Sequence, residues 1–213
     1  MAYYVFLDTN IYEESNFSFE NGKFTKLKDM TKTGKVVLLY NEVIYREVKQ
    51  HIESYIKEAV GEDNAAVKNK GFAPFRNVKE WGGHLDLLNE QKLIGQQWKA
   101  WDDYLKSCCA IKIPTKSVNV DAILDNYFKR LLPFENKKPN EFKDAITIES
   151  IRDYFEIIKE NELAEKLFVV AVDKGVRKSF RNEKSIVPFD NLNKFINYII
   201  LHTEYLAVAI NKE

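Results

Sequence analysis

Two aspartates directly follow apolar stretches of the chain, at points where a strand should end. Asp8 comes after YYVFL, and Asp173 comes after KLFVVAV. Stretches that are apolar at every position are typical of central parallel strands covered on both faces. Ligands of parallel sheets bind outside the carboxyl ends of the strands, so both carboxylates are predicted to lie at one edge. Each aspartate taken alone is better explained as the first solvated position of a loop.

A third aspartate, Asp144, opens a helical pattern and lies on the side that should face the core. On a helix that turns about 100° per residue, Ile148, Ile151 and Phe155 fall within roughly 40° of Asp144. The alternative is a first-turn residue that complements the helix dipole. Converging carboxylates repel one another unless a hard divalent cation holds them. The three aspartates together therefore favour a metal-binding site.

The elements that must position these residues alternate between apolar strands and amphipathic helices. Strands are predicted at YYVFL, KVVLLY and KLFVVAV, with a weaker edge strand at SIVPF because Pro188 cannot donate a ladder hydrogen bond. Asn41 is predicted to cap the helix that follows the second strand. This order predicts an α/β fold, a three-layer α/β/α arrangement with a central, mostly parallel sheet of about four to five strands. The helices are predicted at FTKLKDMTKTG, EVIYREVKQHIESYIKEAV, LDLLNEQKLIGQQWKAWDDYLKSCCA, DAILDNYFKRLL, DAITIESIRDYFEIIKE and NLNKFINYIILHTEYLAVAI.

The composition is that of a globular chain with no overall attraction for nucleic acid. Its 213 residues are 45% hydrophobic, and 32 basic side chains balance 32 acidic ones. Binding of a polyanion must therefore come from a local patch. We predict one domain over residues 1–213, with a helical elaboration at about 57–140. No signal peptide and no apolar run of about 20 residues is found, which predicts a cytoplasmic protein without a membrane span.

Several pieces of the chain, taken in order, resemble the PIN-domain nuclease family. They are VFLDTN at the first strand end, NEVIYREV on the next helix, FKDAITIES on a later helix and LFVVAVDKGVRKSF at a strand end. The closing IVPFDNLNKFINYI resembles the last short strand and helix of that family. The span from about Ile56 to Asn140 matches only as generic helix. The resemblance implies a single PIN-like nuclease domain with a helical insertion.

Carried over by position, the resemblance implies four acidic residues that bind metal and act in catalysis. They are Asp8, Glu47, Asp144 and Asp173. The second position has an alternative in Glu42, but a carboxylate at the first residue of a helix is already explained by the helix dipole. Thr9 and Asn10 are expected to support Asp8 through hydrogen bonds. The implied cofactor is Mg²⁺ or Mn²⁺, bound through oxygen ligands.

Other reaction classes find no support in the sequence. There is no phosphate-cradling G-x-x-x-x-G-K-[ST] loop, no G-x-S-x-G elbow, and only three scattered histidines. A phosphatase of the haloacid-dehalogenase type needs a second acidic residue two positions after the first, where this chain has Asn10. The adjacent Cys108 and Cys109 cannot easily bridge each other and lack the spacing of a zinc site, so both are predicted to be reduced helix residues.

The resemblance implies a metal-dependent endoribonuclease that hydrolyses phosphodiester bonds of single-stranded or structured RNA. A basic run after Asp173 is predicted to hold the phosphate backbone, with a merely solvated loop as the equal alternative. Its members are Lys174, Arg177, Lys178 and Arg181. Two other functions stay open: a catalytically silent module that binds RNA or a protein, and the toxin of a toxin–antitoxin pair. The expected partners are therefore RNA, a protein partner such as an antitoxin, or a second copy of the chain.

Overall fold

Five parallel strands form one sheet in the order β3-β2-β1-β4-β5. The computed structural model describes residues 2–20, 22–69, 71–75, 77–79, 87–134 and 141–210, with backbone only for 204–210. Helices flank this all-parallel sheet, which confirms the predicted three-layer α/β/α fold. The strands are β1 (Tyr3–Leu7), β2 (Val36–Tyr40), β3 (Ile111–Lys112), β4 (Leu167–Val170) and β5 (Ile186–Phe189).

Eight α-helices and one short 3₁₀ helix are found in the described part of the chain. The α-helices are α1 (Thr9–Glu13), α2 (Gly22–Lys32), α3 (Glu42–Lys68), α4 (Glu90–Ser107), α5 (Val120–Phe128), α6 (Phe142–Glu160), α7 (Lys174–Ser179) and α8 (Leu192–Ile210). The 3₁₀ helix covers Ala73–Phe75. Asn41 caps α3 as predicted, because its side-chain oxygen accepts a hydrogen bond from the Ile44 amide at 2.9 Å. No described helix is both long enough and apolar enough to cross a membrane.

The centre of the sheet explains why its strands are apolar throughout. Val5 of β1 pairs with Leu38 of β2 on one side and with Phe168 of β4 on the other. All three side chains are buried, since helices cover both faces of the sheet. The last pair joins Leu7 to Val170, and the Asp8 amide then donates to the Val170 carbonyl at 2.9 Å. The carboxyl ends of β1 and β4 therefore lie side by side.

Besides the short 3₁₀ helix, one strand and two α-helices were not predicted from the sequence. The two-residue strand β3 lies at the sheet edge, and both of its side chains are exposed. Helices α1 and α7 have only five and six residues, too few for a periodic apolar pattern. One helix prediction was wrong in detail: α4 ends at Ser107, so Cys108 is its C-cap and Cys109 follows with a φ of 48°. Both thiols are free.

A small second core lies beside the main one. It joins α5 to the first turn of α6 through the buried side chains of Val118, Ile123, Phe134 and Ala145. Asp144 is the residue next to Ala145, so this cluster fixes the start of the helix that carries Asp144. The small core therefore anchors one wall of the candidate site described below.

Candidate functional site

Asp8 is held at the junction of β1 and α1, where it is the N-cap of the helix. Its Oδ1 accepts a hydrogen bond from the Thr9 amide at 2.9 Å, and the Asn10 side-chain amide lies 3.5 Å from Oδ2. Only 9% of the residue is exposed. A carboxylate in such a place must be compensated by hydrogen bonds, by a proton or by a cation.

Burial raises the pKa of Asp8 from 3.8 to about 7, against the opposing effect of the Thr9 amide. The negative charges of Glu47, Asp173 and Glu13 contribute smaller parts of this same increase. Thr9 thus supplies one local hydrogen bond, but this bond does not offset the desolvation and the repulsion. Without a bound cation, Asp8 is therefore partly protonated near neutral pH.

Asp144 lies in the first turn of α6, where it is partly buried. Its pKa is also raised from 3.8 to about 7, first by burial and then by the charge of Asp8. Glu141, Asp173 and Glu47 add smaller contributions in the same direction. Among the described residues, none donates a hydrogen bond to the Asp144 carboxylate or pairs with it. Asp144 is therefore a carboxylate whose charge is disfavoured by neighbouring acids, with Asp8 first among them.

Glu47, in the second turn of α3, acts on the charge of Asp8, whereas Glu42 is not among the residues that do so. The Thr9 hydroxyl donates to Glu47 Oε2 at 2.8 Å, and Lys143 Nζ lies 2.6 Å from Oε1. Glu42 instead pairs with Arg46 and with Lys112 at the end of β3. These two cations lower the pKa of Glu42. The side chain of Thr9 therefore supports Glu47, and only its backbone amide supports Asp8.

Asp173 follows β4 and caps α7 in the way that Asp8 caps α1. Its Oδ1 accepts hydrogen bonds from the amides of Gly175 at 2.5 Å and Val176 at 3.2 Å. A Cβ atom on Gly175 would lie 2.9 Å from this oxygen, so a larger residue there would displace the Asp173 carboxylate. The charge of Asp173 also acts on the other two aspartates, because it raises the pKa of both Asp8 and Asp144.

The four acidic residues suit a hard divalent cation by their chemistry, since all their donor atoms are carboxylate oxygens. They interact electrostatically, and no described lysine or arginine pairs with Asp8 or Asp144. Even so, no group of three or more His, Cys, Asp or Glu side chains within the described ranges is arranged so that it could hold a metal ion. The Glu47 side chain points towards Lys143, and the Asp173 side chain points towards backbone amides. Both side chains would therefore have to turn in order to share a cation.

The basic run after Asp173 is only partly available to a substrate. The Arg177 guanidinium donates through Nη1 to the carbonyls of Ala171 and Val172, both at 2.6 Å. It therefore holds the chain between β4 and α7 in place. Lys174, Lys178 and Arg181 are exposed. Together with β5 they line an open cleft of about 390 Å³.

Two residues that sequence reasoning left out contact the site. Lys143 forms the ion pair with Glu47, and its place directly before Asp144 was the available signal. His51 lies one turn after Glu47 on α3, and its Nδ1 lies 2.5 Å from Glu13 Oε1. Glu13 ends α1 and is one of the charges that raise the pKa of Asp8. Lys143 thus contacts the acidic site directly, whereas His51 reaches it only through Glu13.

Comparison with known proteins gives one result. A family model described as PIN domain matches residues 5–175, which is most of the chain and includes all four acidic positions. No curated protein and no solved structure matches the chain.

Proposed function

We propose, from the premise that this chain belongs to the PIN-domain family, that it is a metal-dependent endoribonuclease. PIN domains are typically nucleases that use divalent metals such as Mg²⁺ or Mn²⁺ and generally bind RNA. The finer proposal is that Asp8, Glu47, Asp144 and Asp173 hold the ion beside a scissile RNA phosphate. No other cofactor is implied.

One observation carries this proposal: the charge of Asp8 raises the pKa of Asp144, the charges of Glu47 and Asp173 raise the pKa of both, and no described lysine or arginine forms an ion pair with either. Such a pair is unfavourable in a purely structural role, because repulsion and desolvation both oppose it. A divalent cation between the two carboxylates would remove both costs. Perturbed carboxylates at the carboxyl edge of a parallel sheet are the expected signature of a functional site.

Each residue has a distinct part in the proposed reaction. When bound, the divalent cation supplies an activated water and neutralises charge on the scissile phosphate. Asp8 and Asp144 bind the ion, and the α1 cap keeps the Asp8 carboxylate in one orientation. The Thr9 hydroxyl orients Glu47, while Lys143 balances its charge until substrate and metal arrive. No protein nucleophile is required.

A catalytically silent module is the second candidate, and the geometry offers one argument for it. Glu47 and Asp173 already have partners within the protein, in Thr9 and Lys143 for the first and in two backbone amides for the second. Local structure therefore explains these two acids without a metal. A module of this kind would bind RNA or a protein partner such as an antitoxin and would cleave nothing.

A cleavage assay with Asp8→Asn separates the two candidates. The substitution is nearly isosteric and keeps a good helix cap, but it removes one anionic ligand. We expect cleavage of a fluorescent RNA pool in Mn²⁺ to fall by roughly 10³-fold, as the loss of about 4 kcal/mol of transition-state stabilisation would predict.

Glu42→Gln is the matched control, because Glu42 is an acid of α3 whose charge is compensated by Arg46 and Lys112. It should leave cleavage unchanged within about threefold. Full activity of Asp8→Asn would contradict the mechanism. No cleavage by any of the three proteins, together with RNA binding, would favour the silent module.

A further inference from the structure

We propose that the cleft between α3, the loop 115–118, α5 and the start of α6 binds one unstacked nucleotide of single-stranded RNA. This inference rests on the proposed nuclease function and names the surface that would lead RNA to the acidic site. It differs from the expectation drawn from the sequence, in which the α7 run binds the phosphate backbone.

The cleft opens directly beside the candidate site. Its volume is about 480 Å³, and Glu47 and Lys143 are among the residues that line it. Glu47 also accepts a hydrogen bond from the hydroxyl of Thr9, the residue that directly follows Asp8. A cavity of this size falls in the range that holds small ligands. A nucleotide bound here would therefore place a neighbouring phosphate next to the carboxylates.

The inner part of the cleft is aliphatic. It is formed by Val43, Val118, Val120, Ile123 and Ile146. Val118 and Ile123 are buried parts of the small core, whereas Val120 is 61% exposed at the mouth of the cleft. Exposed aliphatic surface next to a charged site is unfavourable in water unless something covers it. The flat, weakly polar face of a nucleobase is a suitable cover, because every base has an apolar face that binds such surfaces without sequence preference.

The rim of the cleft has one more basic than acidic side chain, which favours a polyanion over an apolar peptide. Arg46, Lys116 and Lys143 line it, as do Glu42 and Glu47. Arg46 pairs with Glu42 at the surface, where such a pair contributes little free energy, so Arg46 can turn to phosphate at small cost. Lys143 pairs with Glu47, whose side chain is only 15% exposed, so this second pair is less easily broken. The chain as a whole has no net charge, so attraction to RNA must come from a local patch such as this one.

Two polar residues in the same cleft can contact the edge of the base. Gln50 offers an amide donor and an amide acceptor, and Thr115 offers a hydroxyl. An amide side chain can bond adenine through two hydrogen bonds. The structure thus assigns base contact to Gln50 and phosphate contact to the three rim cations.

The neighbouring clefts are less suitable. On the α7 side, the Arg177 guanidinium is bonded to two backbone carbonyls. A cleft of about 510 Å³ at the ends of β2 and β3 is lined by none of the four acidic residues of the candidate site. Among the clefts formed by the described residues, the one beside α5 combines an apolar interior, exposed cations and contact with Glu47.

Equilibrium binding of oligoribonucleotides tests this proposal without any need for catalysis. All proteins carry Asp8→Asn and are measured in EDTA, so that nothing is cleaved. The probes are fluorescein-labelled dodecamers of adenosine, cytidine or uridine, followed by fluorescence anisotropy. The test variants are Lys116→Glu and Val120→Glu, both at exposed positions where folding should be unaffected.

Two controls make the same change of charge as Lys116→Glu at other places. Lys129 directly follows α5 and lies outside the cleft, and Arg181 lies beyond α7, so the controls are Lys129→Glu and Arg181→Glu. We expect Lys116→Glu and Val120→Glu to weaken binding at least tenfold, and both controls to change it by less than threefold. In Lys116→Glu the slope of log affinity against log salt concentration should become less negative by about 0.7. This is the change that the loss of one phosphate contact on a single strand predicts. Gln50→Ala should alter the ratio of affinities for the adenosine and uridine probes.

Three results would overturn the proposal: stronger loss in Arg181→Glu than in Lys116→Glu, tighter binding of duplex than of single-stranded RNA, or no binding of any probe. Its failure is distinct from failure of the proposed function. Metal-dependent cleavage by the unmodified protein with normal binding by Lys116→Glu would leave a nuclease with a different RNA path. Binding that depends on Lys116 without any cleavage would leave an RNA-binding module.

Discussion

Asp8 and Asp173 occupy the same kind of place and have very different surroundings. Each follows a buried parallel strand, and each caps a short helix with its carboxylate. Asp173 accepts hydrogen bonds from two backbone amides and is partly exposed. Asp8 accepts one backbone hydrogen bond, is nearly buried, and has a pKa raised to about 7. The motif of strand, aspartate and short helix is therefore the same, and only the environment differs.

This difference shows which part of the acidic cluster needs an explanation beyond local structure. Asp173 is largely satisfied by the helix that it caps. Asp8 is not, because its single cap bond is outweighed by burial and by the charges of Glu47 and Asp173. Asp144 is in the same situation, because burial and nearby negative charges raise its pKa to about 7 as well. We infer that the pair of Asp8 and Asp144 is the part of the cluster most in need of a cation, with Asp173 and Glu47 completing the site.

Among the tests that bear on this difference, the largest effect is expected from Asp173→Asn, which separates the two roles of that residue. Asparagine caps helices as well as aspartate does, so the free energy of unfolding should change by less than about 0.5 kcal/mol. The charge is lost, so RNA cleavage in Mn²⁺ should fall by about 100-fold or more if Asp173 also binds the ion. Paired cleavage and urea-unfolding measurements on one preparation decide this. Undiminished cleavage would mean that Asp173 is a helix cap and nothing else.

An effect of intermediate size is expected in the pH dependence of stability without metal. The pKa of Asp8 is 3.8 unfolded and about 7 folded, so the folded state binds the extra proton between these values. The resulting stabilisation is fully present below about pH 4 and is lost as the pH rises through about 7. The free energy of unfolding in EDTA should therefore decrease between pH 5 and 7, by at most about 1.4 kcal/mol per pH unit for one proton.

Asp8→Asn should flatten this slope, and urea unfolding at several pH values measures it. Glu42→Gln is the control, because cations lower the folded pKa of Glu42 from 4.5 and its contribution is constant above pH 5. A slope in Asp8→Asn equal to that of the unmodified protein would mean that Asp8 is not the group that titrates.

The smallest effect concerns the Asp173 cap itself. In Gly175→Ala the new Cβ would lie 2.9 Å from Asp173 Oδ1, so the carboxylate must move and its hydrogen bonds weaken. We expect a loss of about 1 kcal/mol in the free energy of unfolding, comparable to the loss of a helix cap. Gly95→Ala is a matched control within α4, where a Cβ meets nothing within 4 Å. It should instead stabilise the protein by up to about 1 kcal/mol. Equal effects of the two changes would show that the cap contributes nothing.

The strands that could be predicted from the sequence are those covered by helices on both faces of the sheet. The central strands β1, β2 and β4 show continuous apolar runs because helices cover both faces. Helices α3 and α6 show the expected spacing of buried residues, as at Ile44, Val48 and Ile52. Strand β3 could not be predicted, because a two-residue edge strand with exposed side chains has no periodic pattern. Its pairing with Tyr40 is fixed by the tertiary structure.

The acidic positions of the site could be proposed from sequence, but their partners could not. Asp8 and Asp173 are visible because polar residues end apolar strands. The ion pair of Lys143 with Glu47 and the Thr9 bond to the same carboxylate join residues far apart in the chain. The basic run after Asp173 illustrates the converse, because the charge of Arg177 was visible and its bonds to Ala171 and Val172 were not. Charge can be read along a chain, whereas the direction of a side chain depends on packing.

The central claim is that Asp8 and Asp144 form a divalent-cation site, and calorimetric titration with Mn²⁺ tests it most directly. The titration uses the metal-free unmodified protein, Asp8→Asn, Asp144→Asn and the control Glu42→Gln, all at pH 7.5. We predict saturable binding by the unmodified protein and by Glu42→Gln with the same affinity. In Asp8→Asn and Asp144→Asn the affinity should fall by about 100-fold or more, because each loses an anionic ligand of a hard cation. No Mn²⁺ binding by the unmodified protein, or equal binding by all four proteins, would contradict the account.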